Sequence, residues 1–276
     1  MGMRIREVIK LVTPPGLIYL ARRLRGNSAA YGLSGDYHSW KDAMAASTGY
    51  DSGIILEKTR AALMKVKNGE AAYERDSVLF DEIQYAWPLL AGLMWVAARC
   101  GGTLNVLDFG GSLGSTYFQN RAFLSALPRL RWNIVEQSCH VETGQAWFED
   151  DCLHFYADIA ACLAENQPNV VLFSSVLQYL ENPYAVFDQL LGLPCDWFII
   201  DRTPFWMGPT DRLCLQRVPP SIYPASYPCQ IFSMPRFHAY LEDKSLQIMA
   251  EFDSLDSLSA PVKAVWKGLI LERRKH

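Results

Sequence analysis

The sequence predicts an α/β fold: a doubly wound, mostly parallel seven-stranded sheet with an antiparallel C-terminal edge hairpin, helices on both faces, and an N-terminal helical extension. Three observations predict it. Between Leu104 and Asp201, short apolar runs alternate with helix-patterned stretches, as parallel strands joined by crossover helices require. A glycine-rich turn, Asp108-Phe109-Gly110-Gly111-Ser112-Leu113-Gly114, stands where the first of these runs gives way to a helical stretch. Two late runs, Leu246 to Asp253 and Val265 to Glu272, flank a polar stretch and suit an antiparallel hairpin on the sheet edge.

With 276 residues, 50% of them hydrophobic, the chain can bury one full-sized core and a smaller attachment. The reading places an extension at 1–75 and the main domain at 76–276. Lys and Arg number 26 against 29 Asp and Glu, a net charge of -3, so no global field draws the chain to nucleic acid. Seven scattered cysteines form no CxxC pair and no Cys/His cluster at metal-ligand spacing, which reads as a reduced, cytoplasmic protein without a metal. Met1 to Arg25 mixes Ile5, Val8, Ile9 and Leu11 with Arg4, Arg6, Lys10, Arg22 and Arg23, and Pro14-Pro15-Gly16 splits it. Two readings stay open there: a helix docked on the main domain or on a second copy in a homo-oligomer, and a basic amphipathic segment on an anionic membrane surface.

The elements follow in order. Gly26 to Asp51 is rich in turn residues and in tyrosine, so it is expected to be irregular but structured. Ser52 to Lys67 has apolar residues at helical spacing. Val78 to Arg99 reads as one long buried helix, kinked or split at Pro88, capped by Asp76 or Ser77 and ended by Cys100-Gly101-Gly102. Strands are expected at Leu104 to Phe109, Arg131 to Glu136, Leu153 to Tyr156, Asn169 to Ser174 and Trp197 to Asp201. Helices are expected at Thr116 to Leu127, His140 to Phe148 and Tyr184 to Leu191. Pro219 to Pro228, with four prolines, reads as an inserted loop, and Pro235 to Leu241 as a short helix.

In such sheets ligands sit at the carboxyl ends of the strands, where the chemistry-bearing residues fall. Gly110, Gly111 and Gly114, with Asp108 and Ser112, make a turn in which a ligand can touch the backbone. The Gly-Gly-x-x-Gly spacing is not the GxGxxG of dinucleotide binders, and no Walker lysine precedes Ser115-Thr116. Glu136, followed by Gln137, ends the second strand, where an acid can accept both ribose hydroxyls of an adenosine. Asp158 follows the third strand and suits either an adenine amino group or a helix N-cap. Ser174, Ser175 and Gln178 follow the fourth strand and would line the reacting end of the ligand. Together they point to S-adenosylmethionine.

These residues carry a resemblance. The glycine turn, the acid after strand two and the segment Ser174-Ser175-Val176-Leu177-Gln178-Tyr179-Leu180 are similar to those of class I S-adenosylmethionine-dependent methyltransferases, with a Rossmann-like sheet. With Tyr73-Glu74-Arg75-Asp76-Ser77-Val78-Leu79-Phe80 and Ile200-Asp201-Arg202-Thr203-Pro204-Phe205, the chain resembles a family of bacterial methyltransferases that accompany surface-polysaccharide biosynthesis. The resemblance implies methyl transfer to a small-molecule, sugar or nucleotide-sugar acceptor. For catalysis the candidates are Asp201 as a base, Arg202 as an anchor for an anionic acceptor, and His238 as an alternative base. Tyr179, Tyr223 and Tyr227 are candidates for stacking on the acceptor, and Glu74-Arg75-Asp76 for a lid. Competing readings are a non-catalytic module of the same fold and a nicotinamide-dependent sugar oxidoreductase or epimerase.

Overall fold

The computed structural model describes residues 31–49, 52–220, 222–256 and 258–274. Met1 to Arg25, and with it the expected membrane or subunit contact, lies outside the described residues. In chain order the elements are β1 (Gly32–Tyr37), α1 (Trp40–Ala46), α2 (Ser52–Lys67), β2 (Tyr73–Arg75), β3 (Val78–Phe80), α3 (Trp87–Arg99), β4 (Thr103–Phe109), α4 (Ser115–Leu124), β5 (Arg129–Val135), α5 (Ser138–Trp147), β6 (Leu153–Tyr156), α6 (Ile159–Glu165), β7 (Val170–Ser174), α7 (Pro183–Leu191), β8 (Trp197–Trp206), β9 (Arg212–Val218), β10 (Ala225–Ser233), α8 (Met234–Asp243), β11 (Leu246–Asp253) and β12 (Val265–Arg273).

The seven expected strands form one Rossmann-like sheet in the order β6-β5-β4-β7-β8-β12-β11. The first five are parallel, β12 runs antiparallel to β8, and β11 pairs antiparallel with β12. Strand residues alternate between two cores. Val106, Ile134, Leu172 and Ile199 pack with Leu63, Leu93, Leu113 and Phe148 from the α2 to α5 side. Leu107, Val135, Phe173 and Ile200 pack with Cys162, Phe187 and Phe237 from the α6 to α8 side. Both faces are covered, which is why these strands are apolar on both sides.

Three further strands correct the expected count, since the sheet has ten strands on its main and branching paths. β8 outruns β7: it pairs with β7 as far as Asp201 and then, at Phe205 and Trp206, with β10. From there β9 and β1 continue the sheet antiparallel. Ala225 to Pro228, in the stretch expected to be a loop, is therefore strand. β10 tolerates Pro228 because, apart from β9, it meets a strand only at Phe232 and Ser233.

The expected long helix from Val78 is also corrected. Val78 to Phe80 pairs with Tyr73 to Arg75 as a hairpin whose turn, Asp76-Ser77, is left-handed at both residues, with φ of 52° and 67°. Asp76 and Ser77 therefore cap no helix. Pro88 neither kinks nor splits a helix but stands in the first turn of α3, where its missing N–H costs nothing. The boundary drawn between 75 and 76 falls inside this hairpin. No helix among the described residues is long and apolar enough to cross a membrane, and the seven cysteines are free.

Candidate functional site

β4 lies between β5 and β7, and the chain crosses from β4 to β5 through α4 on one face but from β6 to β7 through α6 on the other. The switch point is thus between the carboxyl ends of β4 and β7, where a doubly wound sheet opens a crevice. The glycine turn fills one side of it. Gly110 and Gly114 are left-handed, with φ of 72° and 99°, and Ser112 shares that conformation at 53°. A Cβ on Gly110 would overlap the Val176 side chain, and one on Gly111 would sit 2.5 Å from Asp108 Oδ2. The glycines are therefore demanded first by the protein's own packing, with Val176 from the β7 loop pressed against the turn.

Glu136 closes the turn from the β5 side. The Ser112 N–H donates to its Oε1 at 3.3 Å and the Gln137 N–H to its Oε2 at 2.7 Å. Asp158 is the N-cap of α6, its Oδ1 accepting from the Ala161 N–H at 2.7 Å. The capping reading is realised, and the side chain stays exposed beside β6.

The period of two along each strand sends Asp108, Ser174 and Asp201 to the same face as Val106, Leu172 and Ile199, and Ser174 is the register partner of Asp201. Asp108 is fully buried and accepts from Trp132 Nε1 at 2.9 Å, while its Oδ1 has no partner. Burial pushes its pKa up to about 7, against the Trp132 hydrogen bond, with the Glu136 charge adding to the rise. Asp201 is 2% exposed, and burial raises its pKa to about 6, opposed by Arg202. Its Oδ1 also lacks a partner. Ser174, Asp201 and Arg202 line a small cavity of about 20 Å³ beneath the β2–β3 hairpin, together with Tyr73, Arg75 and Ser115.

The hairpin brings a residue that the sequence reading assigned only to a lid. Glu74 is buried, accepting from the Ser77 N–H at 2.6 Å and from Ser115 Oγ on the first turn of α4. Burial raises its pKa to about 6, the Ser115 hydrogen bond opposing. The signal was present as a strand-like aromatic and apolar pattern around a two-residue polar turn, Asp76-Ser77.

Arg202 is not free to anchor an anionic acceptor, which corrects that expectation. Its Nε donates to Asp256 Oδ2 and its second amino nitrogen to Asp76 Oδ2, each at 2.5 Å. One guanidinium so ties β8 to the hairpin and to the segment between β11 and β12. Ser175 is left-handed at 58°, its N–H donating to the Asp201 carbonyl at 3.1 Å, and Gln178 Nε2 reaches Ser175 Oγ and the Arg202 carbonyl, both at 3.2 Å.

His238 stands apart from this group. It lies on α8 and faces Glu251 of β11 at 3.4 Å, on the outermost strand of the sheet. Tyr179 and Tyr227 meet edge to face at 5.4 Å, Tyr179 donates to Gln216 Oε1, and Tyr223 is buried, so all three pack within the protein. A far larger hollow, about 790 Å³, lies at the opposite end of the sheet between α4 and the starts of β4 and β5. None of the expected site residues lines it.

No family model matches the sequence, and no curated protein matches it. Among solved structures, the chain is similar to the N-terminal domain of EvdMO1 in the presence of SAH and D-fucose, at 14% identity and a TM-score of 0.48, over 82% of this chain and 98% of that one. It is similar to the magnesium protoporphyrin IX methyltransferase ChlM from Synechocystis PCC 6803 with bound SAH, at 14% identity and a TM-score of 0.45, over 68% and 82%. It is also similar to the glycopeptide N-methyltransferase MtfA complexed with S-adenosylmethionine, at 10% identity and a TM-score of 0.47, over 67% and 94%.

Proposed function

We propose that the chain is an S-adenosylmethionine-dependent methyltransferase acting on a small-molecule, sugar or nucleotide-sugar acceptor, and that it serves surface-polysaccharide synthesis in the bacterial cytoplasm. The observation that carries this reading is the left-handed glycine turn closed by the Glu136 carboxylate at the switch point of the sheet. The residues fit the cofactor. Glu136 offers carboxylate lone pairs to a ribose, Asp158 an exposed carboxylate beyond β6, and Asp108 a buried oxygen without a partner behind the turn. When bound, the cofactor supplies an activated methyl group. The protein's part is then to align the acceptor, exclude water and take a proton, and buried Asp201 with its raised pKa is suited to the last.

Thermal-shift measurements with S-adenosylmethionine, S-adenosylhomocysteine, NAD and NADP test the reading. Stabilisation by the first two alone is expected, and a response confined to the nicotinamides overturns it. Transfer of labelled methyl groups to nucleotide-sugar and glycan pools then separates an enzyme from a binding module.

A further inference from the structure

The carboxyl ends of β7 and β8 part at one level, with a strained residue on each side. Ser174 and Asp201 are the last register partners of the two strands, and the next residue on each, Ser175 and Arg202, is left-handed, with φ of 58° and 54°. Neither is glycine, so each conformation has to be held by its surroundings.

Hydrogen bonds from the β7 side take two consecutive carbonyls of β8. The Ser175 N–H donates to the Asp201 carbonyl at 3.1 Å, and Gln178 Nε2 donates to the Arg202 carbonyl at 3.2 Å. The same amide nitrogen reaches Ser175 Oγ at 3.2 Å. Gln178 stands on the short turn Leu177–Tyr179 that follows β7 and is 1% exposed. Its orientation is fixed by chemistry, because the Arg202 carbonyl can only accept and so faces the amide nitrogen. One buried amide therefore bridges both left-handed residues. Each peptide unit is planar, so holding these two carbonyls fixes both dihedrals of Arg202 between them.

The consequence falls on Asp201, whose side chain leaves β8 one residue before the turn. The Arg202 N–H hydrogen-bonds the Asp201 carboxylate and draws its pKa down against the rise that burial causes. That N–H belongs to the first of the two held peptide units. The Arg202 guanidinium is tied separately to Asp76 and Asp256, so the side chain stays anchored whatever the backbone does. Asp201 and Arg202 line the cavity beneath the β2–β3 hairpin, whereas Gln178 is not among the described residues lining it.

We propose that Gln178 is a positioning residue for methyl transfer, acting through Asp201 and not by contact with the cofactor or the acceptor. Its amide locks the left-handed turn at Arg202, and the turn aims the Asp201 carboxylate. The proposal rests on Asp201 taking the acceptor's proton and adds the group that holds this base in place.

The test uses the full chain unsubstituted, as Gln178→Met, which keeps the length and removes the donor, and as Gln178→His, whose Nε2–H restores one. Native circular dichroism checks each. NMR titration of the aspartate carboxyls, with the Asp201 signal identified by its loss in Asp201→Asn, reads the coupling without any acceptor. In the methionine variant the Asp201 pKa is expected to rise by about half a pH unit or more, because the charges of Arg202, Asp256 and Arg75 are kept and only the Arg202 N–H is released. An unmoved Asp201 signal overturns the proposal. On the acceptor selected by labelled methyl transfer, kcat is expected to fall roughly 10- to 100-fold with methionine and to recover at least threefold with histidine, while acceptor KM and the Kd for S-adenosylmethionine stay within twofold. An unchanged kcat overturns the proposal, and so does a tenfold rise in either constant, since Gln178 would then touch a ligand. If the methionine variant fails to fold, the histidine variant decides: kcat within threefold of the unsubstituted chain is expected, and a hundredfold loss overturns. Absence of methyl transfer by the unsubstituted chain brings down the function itself, while the NMR titration still decides whether Gln178 controls Asp201.

Discussion

The two ends of the sheet differ in a way that volume conceals. The amino end holds a hollow of about 790 Å³, lined by Arg121, Arg129 and Arg131 together with polar and apolar side chains. At the carboxyl end the cavity under the β2–β3 hairpin holds about 20 Å³. Yet five of the six left-handed residues other than glycine among the described residues, Asp76, Ser77, Ser112, Ser175 and Arg202, gather at the carboxyl end, and only Ser245 lies elsewhere. Each such residue costs of order 1–3 kcal/mol unless its surroundings hold it. Three of them turn a backbone N–H onto a group of the site: Ser77 onto Glu74, Ser112 onto Glu136, and Ser175 onto the Asp201 carbonyl. Strain with a recipient, together with buried carboxyls of raised pKa, is what supports the proposed site at the carboxyl end, where size alone would favour the other.

Substitutions at the two ends break or sharpen that contrast. The largest effect is expected from Gly110→Val, which adds branched atoms at a left-handed φ against Val176. A loss of roughly 3–5 kcal/mol in urea unfolding and more than 100-fold in S-adenosylmethionine affinity is expected. Adding Val176→Ala should restore part of both, and no rescue would mean that the turn is limited by something other than Val176.

Asp108→Asn comes next and concerns pH. A carboxyl whose folded pKa is raised to about 7 is protonated in the native state while the unfolded chain ionises near its ordinary value. Stability from this group is therefore complete at acid pH and is lost as pH rises through about 7. The asparagine cannot ionise, so the variant should gain about 2–4 kcal/mol relative to the unsubstituted chain between pH 4 and pH 8. Parallel unfolding curves at the two pH values would refute it. Glu136→Ala should weaken S-adenosylmethionine binding by about 1–3 kcal/mol in calorimetry, the range for a lost charged hydrogen bond. The smallest effects are expected from Arg129→Ala at the amino end and His238→Ala on the outer strand's helix. Each should change stability by less than about 0.5 kcal/mol and leave cofactor affinity unaltered. A tenfold loss of affinity in either would shift the site away from the carboxyl ends.

The legible parts of the molecule were those written in a single period. The seven core strands are apolar runs bounded by turns, and the glycine turn and Glu136 follow from strand ends, so both were readable residue by residue. The extension β1-β9-β10 was not, because its strands mix Gly, Arg and Pro and draw their stability from long-range pairing. In sequence Glu74 is only one member of a charged segment, Glu74-Arg75-Asp76. Its burial depends on Ser115 and Ser77, partners that only folding supplies. The neutralisation of Arg202 by Asp76 and Asp256 joins segments too distant for spacing to foretell.

The forked strand β8 also bears on how the molecule assembles in time. Gly32 pairs with Arg217, so the first described strand has no partner until most of the chain has been synthesised. The core β4 to β8, joined by short crossovers, can condense first, and β1 docks afterwards onto a β9–β10 ribbon hung from the end of β8. Hydrogen exchange should accordingly find the amides of β1 the earliest to open, and those of β4 and β7 the last.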